Sequence, residues 1–304
     1  MSIVSDVQDR FRGCLLGLAA GDAIGTAVEF KARGSFAPVT DIVGGGPFGL
    51  KPGQWTDDTS LALCLAESLI EKRGFDAHDQ MERYVRWYRH GHLSSTGRCF
   101  DIGNTTLSAL RRFEHTGEPL SGSTDPHSAG NGSIMRLAPI PMFFHPDAGQ
   151  AVHQAGESSR TTHGARECVD ACRLFALMLV RALDGRPKKE ILSQEGTGKL
   201  DLAPKVNAIA CGEYANKIED QIRGSGYVIE SLEAALWCFL KTDTFRAAIL
   251  KAVNLGDDTD TTAAVCGQIA GAYYGESGIA GAWLEELCMR DKITEFADKL
   301  REGQ

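Results

Sequence analysis

Two short runs carry the residues best suited to chemistry. One is Gly256-Asp257-Asp258-Thr259-Asp260-Thr261-Thr262, lying between an apolar run ending at Leu255 and a helical pattern from Ala263 to Tyr274. Its three carboxylates repel one another, and burying them uncompensated costs several kcal/mol. Either water or a cation must therefore solvate them. The hydroxyls add oxygen ligands, and no His or Cys intervenes before Cys266. An all-oxygen set suits Mg²⁺, Mn²⁺ or Ca²⁺ rather than Zn²⁺. An EF-hand loop counted from Asp257 is excluded, because Thr262 stands where glycine is needed and Gln268 where glutamate is needed. Asp and Thr are also the preferred helix N-caps, and the helix dipole favours carboxylates there. For this run alone, capping and metal binding stand level. The second run, Trp55-Thr56-Asp57-Asp58-Thr59, also opens a helix. Two such clusters point to ligands converging from distant parts of one fold.

Other candidates are single residues or short loops. Asp101 lies between Phe100 and Ile102, which predicts partial burial and a raised pKa useful in acid–base work. On residue type alone, a helix cap or a partner of Arg98 is the favoured alternative. Glu29, in Val28-Glu29-Phe30, reads on its own as a solvated helix-end residue. Gly130-Asn131-Gly132-Ser133 precedes an apolar segment read as helix from Ile134 to Ala138. Glycines and a hydroxyl at a helix N-terminus present N–H groups to an anion such as a pyrophosphate. His163, in Thr161-Thr162-His163-Gly164, fits a surface or a pocket position equally. Gly44 to Gly49 is a loop, but no Lys-Ser/Thr follows it, so a phosphate-loop assignment is weak.

The elements that must position these residues are helices. Phe11, Leu15, Leu18 and Ala19 recur at helical spacing and run into Gly21-Asp22-Ala23-Ile24-Gly25, where small residues permit close backbone approach or a helix stop. Leu61, Cys64, Leu65 and Leu69 form a core stripe behind the Thr56–Thr59 cluster. Helices are predicted over 79–90, 107–113, 165–183, 231–240, 244–253, 279–289 and 293–300, with a polar, irregular stretch from Pro187 to Glu219. Alternating strand patterns are almost absent. The expected class is all-α, a single domain over residues 1–304.

With 304 residues and 43% hydrophobic content, the chain can bury a sizeable core. A net charge of -8 disfavours general nucleic-acid or acidic-membrane binding, which Lys and Arg drive. No signal peptide and no uninterrupted membrane-spanning apolar stretch are expected. The nine cysteines lie mostly on apolar helix faces, as reduced thiols do in a cytoplasmic protein. With no coiled-coil or interface stripe, a monomer is the default.

Assembled in order, the motifs resemble the ADP-ribosylglycohydrolase family, in particular its bacterial dinitrogenase reductase-activating glycohydrolases. The matching segments are Gly21–Gly25 with Val28-Glu29-Phe30, Lys51–Gln54 leading into Thr56–Thr59, and Asp101-Ile102-Gly103-Asn104. They continue with Ala129–Gly132, Met135-Arg136, Thr162-His163, Thr242–Phe245 and Asp258–Thr262. The resemblance covers roughly residues 10 to 290 and is weakest between Pro187 and Gly226. It implies an orthogonal all-helical fold with two divalent ions, Mg²⁺ or Mn²⁺, at the base of an ADP-ribose cleft. By motif match, Thr56, Asp57, Asp58, Asp258, Asp260 and Thr261 would hold the metals. Glu29 and Asp101 would be the catalytic carboxylates beside the distal ribose. Asn104, Gly130, Asn131, Gly132, Ser133 and His163 would contact substrate, the glycine loop facing the pyrophosphate. Helix N-termini would keep the metal-binding carboxylates ionised.

The implied reaction is removal of ADP-ribose from an ADP-ribosylated protein, most plausibly at arginine, with ADP-ribose as product. Serine or nucleobase linkages, a phosphohydrolase acting on ADP-ribose, and a non-catalytic ADP-ribose reader are the alternatives. Two departures stand out. Arginine-directed relatives tend to carry an acidic residue before the Ala-Gly-Asn-Gly motif, where this chain offers Asp125. Asp257 stands where glycine is common and adds charge beside the metals.

Overall fold

The computed structural model describes residues 3–303. The chain forms α1 (Ile3–Gly25), α2 (Asp57–Lys72), α3 (Ala77–His90), α4 (Asn104–Thr116), α5 (Pro139–Phe144), α6 (Ala148–Arg160) and α7 (Arg166–Leu183). It continues with α8 (Lys188–Ile191), α9 (Pro204–Ala210), α10 (Val228–Leu240), α11 (Phe245–Val253), α12 (Thr259–Tyr274), α13 (Gly281–Glu286) and α14 (Arg290–Glu302). Short 3₁₀ turns join several of them, and the described residues contain isolated bridges but no strand. The all-α expectation stands.

The molecule is built on the antiparallel pair α1 and α12. Gly13, Gly17, Gly21 and Gly25 recur every four residues and share one face of α1. A Cβ on Gly17 would lie 2.4 Å from the Gly267 carbonyl oxygen, and one on Gly21 would lie 2.1 Å from that of Ala263. Seen from α12, a Cβ on Gly271 would lie 1.9 Å from the Gly13 carbonyl oxygen. The two backbones are in direct contact. Their antiparallel sense sets the end of α1, with Asp22, beside the start of α12, with Asp260. Helices α11, α10 and α7 pack against α12, while α14 and α2 pack against α1. The apolar faces of all these helices merge into one core.

Four expectations need correction. The segment Ile134 to Ala138 is a series of turns, not a helix. Its carbonyls are diverted: Gln268 Nε2 donates to the oxygens of Ile134 (3.1 Å) and Met135 (2.7 Å), and Arg136 Nη1 donates to that of Gly132 (2.8 Å). Helix α5 begins only at Pro139, whose fixed φ suits the first helical position and whose missing N–H costs nothing there. The helix predicted from Leu107 begins three residues earlier, at Asn104. The segment 279–289 is helical only over Gly281–Glu286, and α6 escaped prediction altogether. Finally, Val7–Val28 is long and apolar enough to cross a membrane by length and composition, contrary to expectation. Of that window 94% is buried inside the protein, so the requirements of a core helix account for its apolarity.

Candidate active site

The two acidic runs meet, and neither uses its aspartates as caps. The side chain of Asp22, fully buried on α1, supplies the cap of α2 instead. It accepts bonds from the Thr56 and Thr59 amides (2.8 and 3.0 Å) and from their hydroxyls (3.0 and 2.6 Å). Asp57 and Asp58 are thereby left for other work. At α12 the N-cap residue Asp258 makes no side-chain cap bond. Its Oδ2 accepts 2.9 Å from the Asn131 amide. Thr56 Oγ1 also reaches Asp260 Oδ2 at 3.3 Å, and Thr261 Oγ1 reaches Asp58 Oδ1 at 3.4 Å. Helix capping therefore does not account for these aspartates.

What remains fits a cation. Glu29 Oε2, Asp58 Oδ2 and Asp260 Oδ1 are buried with no hydrogen-bond partner among the described residues. Such orphaned acceptors are costly unless something satisfies them. Glu29, Asp101 and Asp260 offer ligand oxygens that all lie within 4.8 Å of one another. Burial, then mutual repulsion, pushes Asp57, Asp58 and Asp260 well above the usual carboxylate range. The same causes raise Glu29 to about 10 and Asp101 to about 8. Burial lifts Asp22 to about 6, held back by its Thr59 and Thr56 bonds. Without a cation, the helix dipoles at these N-terminal positions do not offset the upward shift of Asp57, Asp58 and Asp260. Dipole stabilisation amounts to about 0.3–2 kcal/mol, and desolvation beside like charges outweighs it. A bound cation would reverse the balance, since carboxylates bind metal deprotonated.

The cluster floors a cleft of about 370 Å³ lined by Glu29, Asp57, Asp58, Asp101, Asn104, Gly130, Asn131, Gly132, His163, Asp258, Asp260 and Thr261 among others. Twelve of the fourteen residues singled out from the sequence therefore line one cavity. Thr56 lies beneath it, bonded to Asp22 and Asp260. Ser133 turns away, its hydroxyl accepting from Ser159 at 2.9 Å. Glu29 is only 4% exposed, against the solvated reading of its residue type. Asp101 is part-buried in the left-handed region at φ 57°, and its neighbours are Asp260 and Asp22 rather than Arg98. Asp257 is exposed and absent from the lining. It has φ 66°, a conformation that glycine adopts freely, which is a physical reason for glycine at that position. Asp125 also lies off the cleft, capping the 3₁₀ turn Pro126–Ser128 through the His127 amide at 2.8 Å.

The glycine loop is held from below. Buried Arg136 donates to the Gly132 carbonyl and to Thr162 Oγ1 (2.7 Å) and packs on the Tyr84 ring. Thr162 Oγ1 in turn bonds His163 Nδ1 at 2.8 Å. Burial, then the Arg136 charge, lowers His163 to about 3, so the imidazole is neutral. A Cβ on Gly132 would fall 2.8 Å from His163 Cε1, so any larger residue must displace the imidazole. Beyond Thr105, Gly130 and Gly226 the cleft continues into a second cavity of about 600 Å³ flanked by Pro126–Ala129 and Tyr227. Reasoning from sequence missed Asp22 and Arg136 as supports, and Phe30 as a lining residue. The quoted motifs contain all three, but a periodic apolar pattern says nothing about a buried charge or an exposed ring.

Comparison with known proteins agrees with this geometry. The profile of the ADP-ribosylglycohydrolase family matches residues 4–304. The chain is 46% identical over 296 residues to ADP-ribosylarginine hydrolase Tri1 of Serratia proteamaculans, covering 97% of this chain and 80% of that protein. It is 33% identical over 301 residues to the ADP-ribosyl-[dinitrogen reductase] glycohydrolase of Rhodospirillum rubrum, covering 93% and 92%. A solved structure titled ADP-ribosylglycohydrolase-related protein complex superposes with a TM-score of 0.87 at 44% identity, covering 98% of this chain and 99% of that one.

Proposed function

The chain belongs to the ADP-ribosylglycohydrolase family, and from that premise we propose that it releases ADP-ribose from ADP-ribosylated arginine on proteins. The bond broken joins the anomeric carbon of the distal ribose to a guanidine nitrogen. Water supplies the hydroxyl to carbon and the proton to nitrogen. The observation that carries this reading is the set of buried, unpartnered carboxylate oxygens from Glu29, Asp58 and Asp260 around one cleft. Relatives bearing arginine-hydrolase names support the acceptor.

Thr56, Asp57, Asp58, Asp258, Asp260 and Thr261 would hold two divalent ions, Mg²⁺ or Mn²⁺. Such ions, when bound, draw in sugar hydroxyls and make a nearby water more acidic. Asn131 orients Asp258 through its amide, and Asp22 fixes the backbone that presents Asp57 and Asp58. Asp101 and Glu29 share the proton transfers, one as carboxylate taking a proton from the attacking water and the other as carboxylic acid giving its own proton to the departing nitrogen. Raised to about 8 in the ion-free cleft, Asp101 changes state closer to neutrality than Glu29 at about 10. Asn104 and the Gly130–Ser133 turns face the diphosphate. The Gly130 and Asn131 amides are already bonded to Ser128 and Gly226 carbonyls, so the Gly132 and Ser133 amides are the ones left to an anion. We treat residues 1–304 as one catalytic unit, acting as a monomer in the cytoplasm, where nine free thiols stay reduced.

The test is release of free ADP-ribose from arginine-, serine- and nucleobase-linked conjugates with Mg²⁺, Mn²⁺ or EDTA. Metal-dependent release from the arginine conjugate is expected. Release from another conjugate alone would move the acceptor, AMP as product would make the enzyme a phosphohydrolase, and full turnover in EDTA would sink the metal assignment.

A further inference from the structure

Phe30 is a large apolar side chain in the wrong place for packing. It is 67% exposed, yet it lines the cleft and is the only Phe, Tyr or Trp among the described residues to do so. Its backbone sits at φ 63°, in the left-handed region that bulky residues avoid. Neither burial nor conformational preference recommends phenylalanine there.

The position is nonetheless firmly held. The Phe30 amide donates to the Asp257 carbonyl at 2.8 Å, and the Asp257 amide returns a bond of 2.8 Å to the Lys31 carbonyl. Gly256 lies so close to the next turn that a Cβ would fall 2.5 Å from the Arg33 nitrogen. Arg33 Nε donates 2.9 Å to the Leu255 carbonyl. The loop that delivers Asp258 and Asp260 thus also clamps the segment that carries Glu29 and Phe30. The backbone that carries the ring is thus fixed to the site and is not a free loop tip.

The cleft has a direction. Its glycine loop shares Thr105, Gly130 and Gly226 with the second cavity, so a ligand whose diphosphate lies at Gly132 runs its adenosine toward Tyr227. The acidic floor then takes the distal ribose, and Glu29 with Phe30 borders the acceptor end. A guanidinium is planar, weakly hydrated and always charged, so it stacks on aromatic faces while carboxylates take its N–H groups. A seryl acceptor is neutral and offers no such face.

We propose that Phe30 is a specificity-determining residue of the cleft, its ring face stacking on the guanidinium of the modified arginine beside the Glu29 and Asp101 carboxylates. This rests on the arginine reading above. Substitution by Ala, Leu or Tyr keeps the same backbone cost, so effects on folding are small and are checked by thermal melting. Phe30→Ala is expected to raise KM for the arginine conjugate about tenfold, with kcat within about twofold, as loss of an interaction made equally in ground and transition states requires. ADP-ribose, the product without its acceptor, should bind as before in competition assays. Phe30→Leu should resemble Phe30→Ala because it lacks the ring's charge distribution, and Phe30→Tyr should restore wild-type KM. An unchanged KM in Phe30→Ala, or wild-type behaviour of Phe30→Leu, overturns the proposal. A parallel loss of ADP-ribose affinity also overturns it, by placing the ring on the nucleotide. Failure of the wild-type protein to release ADP-ribose from arginine overturns the arginine reading itself, before any variant is made.

Discussion

At the scale of single residues, the acidic site trades stability for chemistry. Asp58 is buried, leaves one oxygen unpartnered and lies among like charges, so it destabilises the ion-free protein. Asp58→Asn should raise the melting temperature of the ion-free protein by about 3 °C, a shift of roughly 1 kcal/mol. The same change should remove stabilisation by Mn²⁺ and lower turnover by a factor of 10² or more, within the range for a lost catalytic group. Melting curves with and without Mn²⁺ check both halves. A variant less stable than wild type without ions would mean that Asp58 serves the fold and not a ligand. The runs containing Asp57, Asp58, Asp258 and Asp260 were legible because there are two of them, each opening a helix, where one alone reads equally well as a cap. Asp22 was not, since one aspartate among small residues carries no sign that it will accept four hydrogen bonds from a helix dozens of residues away. Glu29 misled for the converse reason. Its residue type argues exposure, and only the folded chain reveals what buries it.

At the scale of elements, helical periodicity located most of the bundle, from the core stripe of α2 to the amphipathic α7 and α14. The turns from Ile134 to Ala138 were misread as helix because their apolar side chains are buried just as a helix face would be. What makes them turns is a set of long-range bonds from Gln268 and local ones from Arg136, which no local pattern records. The glycine ladder of α1 was legible only in part, at Gly21 and Gly25. It matters most for function, because the separation of α1 and α12 sets the separation of Asp22 from Asp260. With 2.1 Å between a Cβ on Gly21 and the Ala263 carbonyl oxygen, Gly21→Ala must push the helices apart. It should cost about 1–3 kcal/mol as overpacking does and weaken Mn²⁺ affinity besides. Gly281→Ala, at the start of α13 and outside the cleft lining, where a Cβ would meet nothing within 4 Å, is the matched control. Calorimetric titration separates the two effects. Undiminished Mn²⁺ affinity in folded Gly21→Ala would mean that the ligand cluster does not depend on this helix spacing.

At the scale of the whole molecule, the buried carboxyls tie stability to pH in an unusual sense. A carboxyl raised in the folded state holds its proton there after the unfolded chain, with its pKa near 4, has lost it. Its stabilising effect is therefore complete below about pH 4 and is lost as pH rises through the folded value. That value is about 8 at Asp101 and about 10 at Glu29. His163 acts the other way: lowered to about 3, it favours folding above its unfolded value near 6.5 and loses that contribution as pH falls toward 3. Between about pH 4 and about pH 6.5 the two carboxyls together outweigh the one histidine, so the ion-free protein should be most stable near about pH 4 and lose stability as pH rises toward the alkaline side. A divalent ion binds the deprotonated cluster, so it should offset this alkaline loss and stabilise more at about pH 8.5 than at about pH 6. Melting temperatures at both pH values, with Mg²⁺ or EDTA, give the comparison. A rise from Mg²⁺ that grows with pH places the ion among these carboxylates. An equal rise at both would place the ion outside these carboxylates, and no rise at either would mean that the cluster holds no Mg²⁺.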